Sequence, residues 1–294
     1  MTSAIINYDE PVFRPPSEAG SLIIQATIGC SNNRCTFCEM YTTKLFRTRS
    51  IEDISADLKT AAQIWPNPAK IFLADGDALV LSTKRLVEIC GVISQTFRNK
   101  PRISAYASPQ NLAAKTLEEL KAIREAGISL IYYGVESGCD EVLKRVRKGA
   151  TAEELGSGLI KASKTGLDTS VTWILGLGGK RFSHDHALDT ATLLSKCGPT
   201  YTSALTLMLP CGEGRLKKDF PEWEEISPVE SLMELKLFAQ NYKGPTTIFR
   251  SNHASNYLPL KANLPNDKDA LIAIIDEAIQ NPEETLKPEW LRAL

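Results

Sequence analysis

Leu22-Ile23-Ile24-Gln25-Ala26-Thr27-Ile28-Gly29-Cys30-Ser31-Asn32-Asn33-Arg34-Cys35-Thr36-Phe37-Cys38 is an apolar run, Leu22 to Ile28, that ends in a polar loop carrying three thiols. The run is a strand candidate. Beyond the loop, Ile51 to Trp65 has helical character and is stopped by Pro66 and Pro68, and Lys70 to Ala74 is a second apolar strand. Strand, helix and strand in this order begin a parallel arrangement.

The alternation continues outward from this first unit. The pattern predicts a helix over Ser82 to Phe97 with Ser82 as its N-cap, a strand at Arg102 to Tyr106, a helix over Leu117 to Ala126 and a strand at Ile128 to Val135. It then gives helical Glu141 to Arg147 and Ala152 to Thr165, a strand at Thr169 to Leu175, a helix from His184 to Lys196, and a sixth strand at Tyr201 to Leu209. His184 and His186 are expected at that helix start. About six nearly all-apolar strands separated by helices are the pattern of βαβ units buried on both faces, so the fold class is α/β. In an α/β sheet or barrel, chemistry belongs just after a strand. From Lys217 the chain changes character, with an acidic, proline-flanked segment, a helix near Val229 to Tyr242, a strand at Thr246 to Arg250 and a final helix at Asp267 to Gln280.

With 294 residues, 43% hydrophobic and 23% charged, the chain has the composition of an ordinary folded protein, not of a disordered, collagen-like or coiled-coil one. Thirty-four Lys+Arg against thirty-five Asp+Glu leave a net charge of −1, so no global field attracts nucleic acid, which is not expected as a partner. Apolar runs such as Leu205 to Pro210 are far shorter than a bilayer span, and the start at Met1 is an acidic, proline-containing arm, so no membrane is expected and the location read from the sequence is cytoplasmic.

Three of the seven cysteines, Cys30, Cys35 and Cys38, fall within nine positions, which points to metal or redox chemistry rather than a disulfide framework. Their C-x4-C-x2-C spacing suits three ligands of a four-iron cluster with one iron left open to a catalytic ligand. A structural zinc site needs a fourth ligand, and the nearest further candidates are Cys90, His184, His186 and His253. Unligated core cysteines are the third reading.

With the aromatic Phe37 directly before Cys38, this loop resembles the motif of the radical S-adenosylmethionine (SAM) superfamily, in particular the branch of the elongator catalytic subunit, the tRNA methylthiolases and the oxygen-independent coproporphyrinogen oxidases. The usual spacing there is C-x3-C-x2-C, one residue shorter in the first gap. A second segment, Tyr133-Gly134-Val135-Glu136-Ser137-Gly138 with Val142-Leu143-Lys144 and Lys148-Gly149-Ala150-Thr151, resembles the same branch's GVESG strand end and the helix and turn that follow.

The resemblance covers about Leu22 to Arg215 and implies a (βα)6 partial TIM-type barrel. The expected domains are an N-terminal arm at 1–19, the barrel at 20–215, and a C-terminal α/β extension at 216–294 that packs on it. The implied cofactors are a [4Fe–4S] cluster on Cys30, Cys35 and Cys38 and SAM, cleaved reductively to a 5′-deoxyadenosyl radical that takes hydrogen from a small-molecule or peptide substrate. A low-potential donor such as flavodoxin or ferredoxin would supply the electron. Glu136 is implied to contact SAM and Lys148 to meet its carboxylate; the competing readings are a helix cap and a solvated helix end. Gly76 and Asp77 stand where the family often has Gly-Gly-Glu to receive the SAM amino group, against a turn with two solvated aspartates, Asp75 and Asp77. The pattern G-x-I-x-G-x-x-E maps onto Thr172, Ile174, Gly176 and Gly179, of which Ile174 and Gly176 agree and would lie near the adenosyl group.

Two local features are candidates for the substrate step. Cys211, two residues past the expected end of the sixth strand, could return a hydrogen atom to a product radical or be a buried small hydrophobe. Arg250-Ser251-Asn252-His253-Ala254-Ser255-Asn256-Tyr257 could line a substrate mouth or stabilise turns. The rival functions are an iron–sulfur redox or electron-transfer module without SAM cleavage and a zinc-organised interaction protein.

Overall fold

Runs such as Ile71-Phe72-Leu73-Ala74, apolar at successive positions, must be covered on both faces, and this decides which segments become interior strands. The computed structural model describes residues 6–293. The first five residues of the expected arm lie outside the described residues. Contacts divide the chain into two compact units: residues up to Asn33, Met40–Tyr133 and Lys161–Asp168 in the first, and Arg34–Glu39, Gly134–Ile160 and everything from Thr169 in the second.

In the first unit, β1 (Leu22–Gln25) leads into β2 (Thr27–Ile28), which pairs antiparallel with β3 (Arg47–Thr48). Then follow α1 (Ile51–Ile64), β4 (Lys70–Ala74), α2 (Thr83–Thr96), β5 (Arg102–Ala107), α3 (Pro109–Ala114), α4 (Leu117–Ala126) and β6 (Ile128–Glu136), whose last residues belong to the second unit. β1, β4, β5 and β6 pair in parallel, with Leu22 opposite Ile71 and Lys70 opposite Arg102. Helix starts follow from local chemistry. Ser50 caps α1 through Asp53 N–H, Ser82 caps α2 through Arg85 N–H, and Thr116 with Glu119 forms a reciprocal capping box on α4. Inside, Phe72, Tyr106 and Tyr132 meet edge to face with centroids 5.0–6.1 Å apart. Glu18, fully buried, is satisfied there by Arg102 and Tyr132, each at 2.6 Å.

The second unit contains α5 (Asp140–Arg145), α6 (Ala152–Lys164) for most of its length, β7 (Asp168–Leu175), α7 (Gly179–Cys197), β8 (Tyr201–Thr206), α8 (Gly214–Lys217), α9 (Pro228–Asn241), β9 (Thr247–Ser251), β10 (Leu260–Leu264), α10 (Lys268–Gln280) and α11 (Pro282–Thr285). β7 pairs in parallel with β8 and β8 with β9, while β10 runs antiparallel to β9. Trp173, Phe238 and Phe249 form its aromatic centre, with Trp173 and Phe238 centroids 4.5 Å apart.

Each unit thus carries its own run of strands separated by helices, parallel throughout in β1, β4, β5 and β6 and parallel up to β9 in the second unit, which is the α/β class expected. The six expected strands are β1 and β4 to β8, and the C-terminal segment adds two more. The first strand, expected from Leu22 to Ile28, is divided at Ala26 into β1 and β2, and two further boundaries that bear on the site differ from the sequence reading. The sixth strand was expected to reach Leu209 but ends at Thr206: its partner β7 stops at Leu175, Leu207 N–H makes a last bond to Leu175 O at 3.0 Å, and Leu207 and Leu209 pack on a hydrophobic cluster instead. Helix α7 starts at Gly179 rather than His184, so His186 lies inside the helix and is fully buried.

Candidate functional site

Within the first unit, the chain leaves β2 through Gly29, whose φ of +73° favours glycine; a Cβ there would sit 3.3 Å from Lys44 Cβ. Gly29 N–H donates to Asp75 Oδ2 at 3.1 Å, and Lys44 Nζ bonds the same oxygen at 2.8 Å, both partners buried. The start of the cysteine loop is thereby tied to the end of β4. Ser31, next to Cys30, donates its hydroxyl to Asp77 Oδ2, and Asn111 Nδ2 reaches that oxygen at 3.4 Å. Asp77 Oδ1 is buried and has no hydrogen-bond partner among the described residues. Burial pushes the Asp77 carboxyl up to about 6, against hydrogen bonds from Ser31, Ser108 and Asn111 and the charge of Lys115. Asp75 and Asp77 are both fully buried, so this is not a solvated turn. The Tyr41 ring lies where a Cβ on Gly76 would fall, 2.4 Å from its Cε2, which explains the glycine.

Within the second unit, Phe37 packs against a cluster that includes Val142, Val146, Leu177 and Trp223, together with Ile174 and Leu209. Thr36 N–H bonds Val146 O at 3.0 Å, Cys38 N–H bonds Cys35 O at 3.2 Å, and Arg215 donates to Cys38 O. The aromatic residue and these backbone bonds fix the second half of the cysteine loop. None of the seven cysteines is in a disulfide. Among the described residues no three His, Cys, Asp or Glu side chains gather as on a single metal ion.

Glu136 ends β6 at a φ of +65°, and its Oε1 lies 2.9 Å from Lys148 Nζ. The side chains are 13% and 9% exposed, so Lys148 is not a solvated helix end. Nor does Glu136 cap α5, whose N-cap is Cys139. A Cβ on Gly134 would come within 2.0 Å of Glu136 Oε1 and 3.2 Å of Lys148 Nζ. Only glycine leaves room for the carboxylate to fold back.

After β7, Gly176 has a φ of +80°; its N–H donates to Glu234 Oε1 at 2.9 Å and its carbonyl accepts from Trp223 Nε1 at 3.2 Å. Ile174, half-buried, accepts at its carbonyl from His186 Nε2 at 3.0 Å. A cavity of about 410 Å³ opens beside Gly176, lined among others by Leu207, Met208, Ile226, Tyr257, Glu289 and Arg292.

Cys211 lies five residues beyond the end of β8, not two, because the strand is shorter than expected. It is exposed rather than packed in the core. Its N–H donates to Glu39 Oε2 at 3.2 Å, and the hydrogen bond and charge of Glu39 push the thiol's pKa up. In the polar run at 250–257, Asn256 is buried and clamps the end of β8, donating to Ala204 O and accepting from Thr206 Oγ1, both at 2.9 Å, while Tyr257 lines the cavity. Sequence reasoning missed Ser31, Asn111, Ser137, Trp223 and Glu234. The one local signal was Ser108-Pro109-Gln110-Asn111, a capping-box spacing that starts α3 and points to Asn111.

The sequence profile of the radical SAM superfamily matches residues 24–194, more than half of the chain. The chain is 24% identical over 131 residues to the heme chaperone HemW of Bacillus subtilis (strain 168), covering 44% of this chain and 35% of that protein. It is 28% identical over 248 residues to an uncharacterized methyltransferase of Pyrococcus horikoshii, covering 80% of this chain and 51% of that protein. The chain thus spans between about a third and a half of the length of these relatives. Among solved structures, the radical SAM enzyme coproporphyrinogen III oxidase (HemN) from Escherichia coli aligns with a TM-score of 0.58 at 18% identity, over 76% of this chain and 52% of that one. The cobalamin-dependent SAM radical enzyme OxsB with SAM bound aligns at 0.53 and 20% identity, over 93% of this chain and 38% of that one. These two likenesses carry the fold; the profile match, on a chain with three closely spaced cysteines and a GVESG strand end, carries the family. The chain belongs to the radical SAM superfamily, enzymes whose cofactors are a [4Fe–4S] cluster and S-adenosylmethionine.

Proposed function

We propose that Cys30, Cys35 and Cys38 hold a [4Fe–4S] cluster, that Asp77, Glu136, Lys148, Ile174 and Gly176 bind SAM, and that the chain acts on a small-molecule or peptide substrate. The observation that carries the reading is Asp77: a buried carboxylate with one oxygen unpartnered among the described residues, its other oxygen tied to Ser31, the residue after Cys30. An orphaned buried acceptor costs about 1–3 kcal/mol unless a donor arrives, and an ammonium group is the donor that also restores its charge. The donor set fits as well, since three thiols on one loop offer soft ligands for iron.

When bound, the cluster and SAM supply a 5′-deoxyadenosyl radical through one-electron cleavage of the sulfonium. The chain's own residues bind, orient and shield. Asp77 receives the amino group, and Lys148 offers a cation, shared with Glu136, for the carboxylate of the amino acid moiety. The tight approach at Gly134 keeps Glu136 in place, and the Gly176 turn allows backbone contact with the adenosyl group. The cavity beside Gly176 suits an amphipathic substrate, since apolar Leu207 and Ile226 line it together with Tyr257 and Arg292. Cys211, exposed and close in sequence to the cavity-lining Pro210 and Gly212, is proposed as the hydrogen donor to a product radical. An external low-potential protein provides the electron.

Substitution separates this reading from a simple electron carrier. The Glu136→Ala protein should retain its cluster and lose SAM affinity; an electron carrier would show no SAM binding to lose.

A further inference from the structure

The turn after β7 lacks the carboxylate that the G-x-I-x-G-x-x-E pattern would carry at position 179, where this chain has Gly179. Another carboxylate arrives from elsewhere. Glu234, on α9 and fully buried, accepts from Gly176 N–H at 2.9 Å and from Ser183 Oγ at 2.6 Å, and lies 3.3 Å from His186 Nε2. Trp223, also in the C-terminal segment, holds the Gly176 carbonyl at 3.2 Å. Both polar backbone groups of Gly176 are therefore fixed by residues after position 216.

The same network reaches the GVESG turn. His186 Nε2 faces two acceptors, Ile174 O at 3.0 Å and Glu234 Oε1, so this nitrogen carries the hydrogen. Nδ1 meets Ser137 Oγ at 2.7 Å, and Ser137 Oγ in turn accepts from Cys139 N–H at 3.0 Å. Gly138 N–H bonds Thr190 Oγ1 at 2.8 Å, and a Cβ at Gly138 would fall 2.4 Å from the α7 backbone at Asp189. Ser137, His186 and Glu234 are all nearly or fully buried, and buried networks with every member paired hold a single geometry.

We propose that Glu234 and His186 are positioning residues that lock the Gly176 turn to the Glu136–Ser137 turn, so that the C-terminal extension completes the SAM-binding surface instead of merely covering the sheet. This rests on the SAM reading above. The acceptor at position 234 is what matters: a glutamine can accept from Gly176 N–H and donate to Ser183 Oγ, whereas alanine leaves that N–H buried and unpaired.

The test is equilibrium binding of SAM to the anaerobically reconstituted full chain, with iron content and Tm recorded for each variant. Glu234→Ala should bind SAM at least about tenfold more weakly with the cluster intact, and Glu234→Gln should stay within about threefold of the wild type. Ser137→Ala, a small deletion that spares the fold, should weaken binding severalfold. Leu235→Ala, on the same helix and buried but with no polar group to offer Gly176, should lower Tm without changing SAM affinity. Unchanged affinity in Ser137→Ala and in folded Glu234→Ala overturns the inference alone, as does Glu234→Gln binding as weakly as the alanine variant. A wild-type protein that carries its cluster but binds no SAM overturns the SAM reading and the inference with it.

Discussion

Asp77, just beyond β4 and fully buried, and Glu136, at the end of β6 and partly exposed, are both carboxylates after parallel strands, yet they are held in opposite ways. Asp77 has hydrogen-bond donors on one oxygen and, among the described residues, nothing on the other, and its carboxyl is pushed up to about 6. Glu136 faces a buried lysine at 2.9 Å. The first arrangement is unstable until something binds; the second is already neutralised and has only to share its charge. A ligand carrying an amine and a carboxylate would need one of each.

The largest effect expected lies outside both. Replacing Cys30, Cys35 or Cys38 by Ala should abolish full cluster incorporation, read as lost iron and lost visible absorption. Undiminished iron in all three variants would remove the reason for comparing the two carboxylates as SAM ligands.

Asp77→Asn is the next largest. Loss of a charge-assisted bond to an ammonium should weaken SAM binding by about 1.5–3 kcal/mol. Because the folded carboxyl titrates near 6, wild-type affinity should fall as pH drops through that value, and the asparagine variant should show a flat profile. Stability should move the other way. A carboxyl raised from 3.8 to about 6 on folding stabilises the protein below pH 4, and that contribution is lost as pH rises through 6, a difference on the order of 3 kcal/mol. Thermal melts of the SAM-free protein should therefore show Asp77→Asn more stable than wild type at pH 8, and no more stable at pH 4. A variant less stable at pH 8 would mean that the Asp77 charge is compensated.

Glu136→Ala should be smaller in binding and opposite in stability. Since the carboxylate already shares its charge with Lys148, SAM affinity should fall by about tenfold, the lower end of the range for a lost charged hydrogen bond. Removing it takes away the carboxylate 2.9 Å from the buried Lys148 ammonium, so Tm should drop. A rise in Tm for both substitutions would break the contrast between the two sites.

These sites were legible in the sequence to different degrees. Cysteine spacing is local, so Cys30, Cys35 and Cys38 could be singled out from the residues alone, whereas Glu136 was reached through the resemblance of its GVESG segment to the superfamily. Strands were legible because parallel strands are continuous apolar runs, and the same rule misled at Leu207 and Leu209, which are apolar to pack on the cluster of Val142, Leu177 and Trp223 and not to pair. Strand β10 escaped notice because Leu-Lys-Ala-Asn-Leu alternates, with only every second residue buried, inside a polar tail. His186 and Glu234 escaped for another reason: their partners lie 49 and 58 residues away, and no local pattern encodes such contacts.

The smallest expected effect is at Cys211. Cys211→Ala, at an exposed position, should leave cluster content, SAM affinity and Tm within about 0.5 kcal/mol of wild type, while failing to complete turnover of the substrate. Undiminished turnover would retire the hydrogen-donor role and leave the two carboxylate sites untouched.

The central claim is that this chain binds a cluster and SAM together and cleaves SAM. The full chain, reconstituted anaerobically with iron and sulfide and incubated with SAM and dithionite, should produce 5′-deoxyadenosine, and the Cys35→Ala protein should produce none. A reconstituted protein with a full complement of iron that reduces normally and releases no 5′-deoxyadenosine would contradict the account.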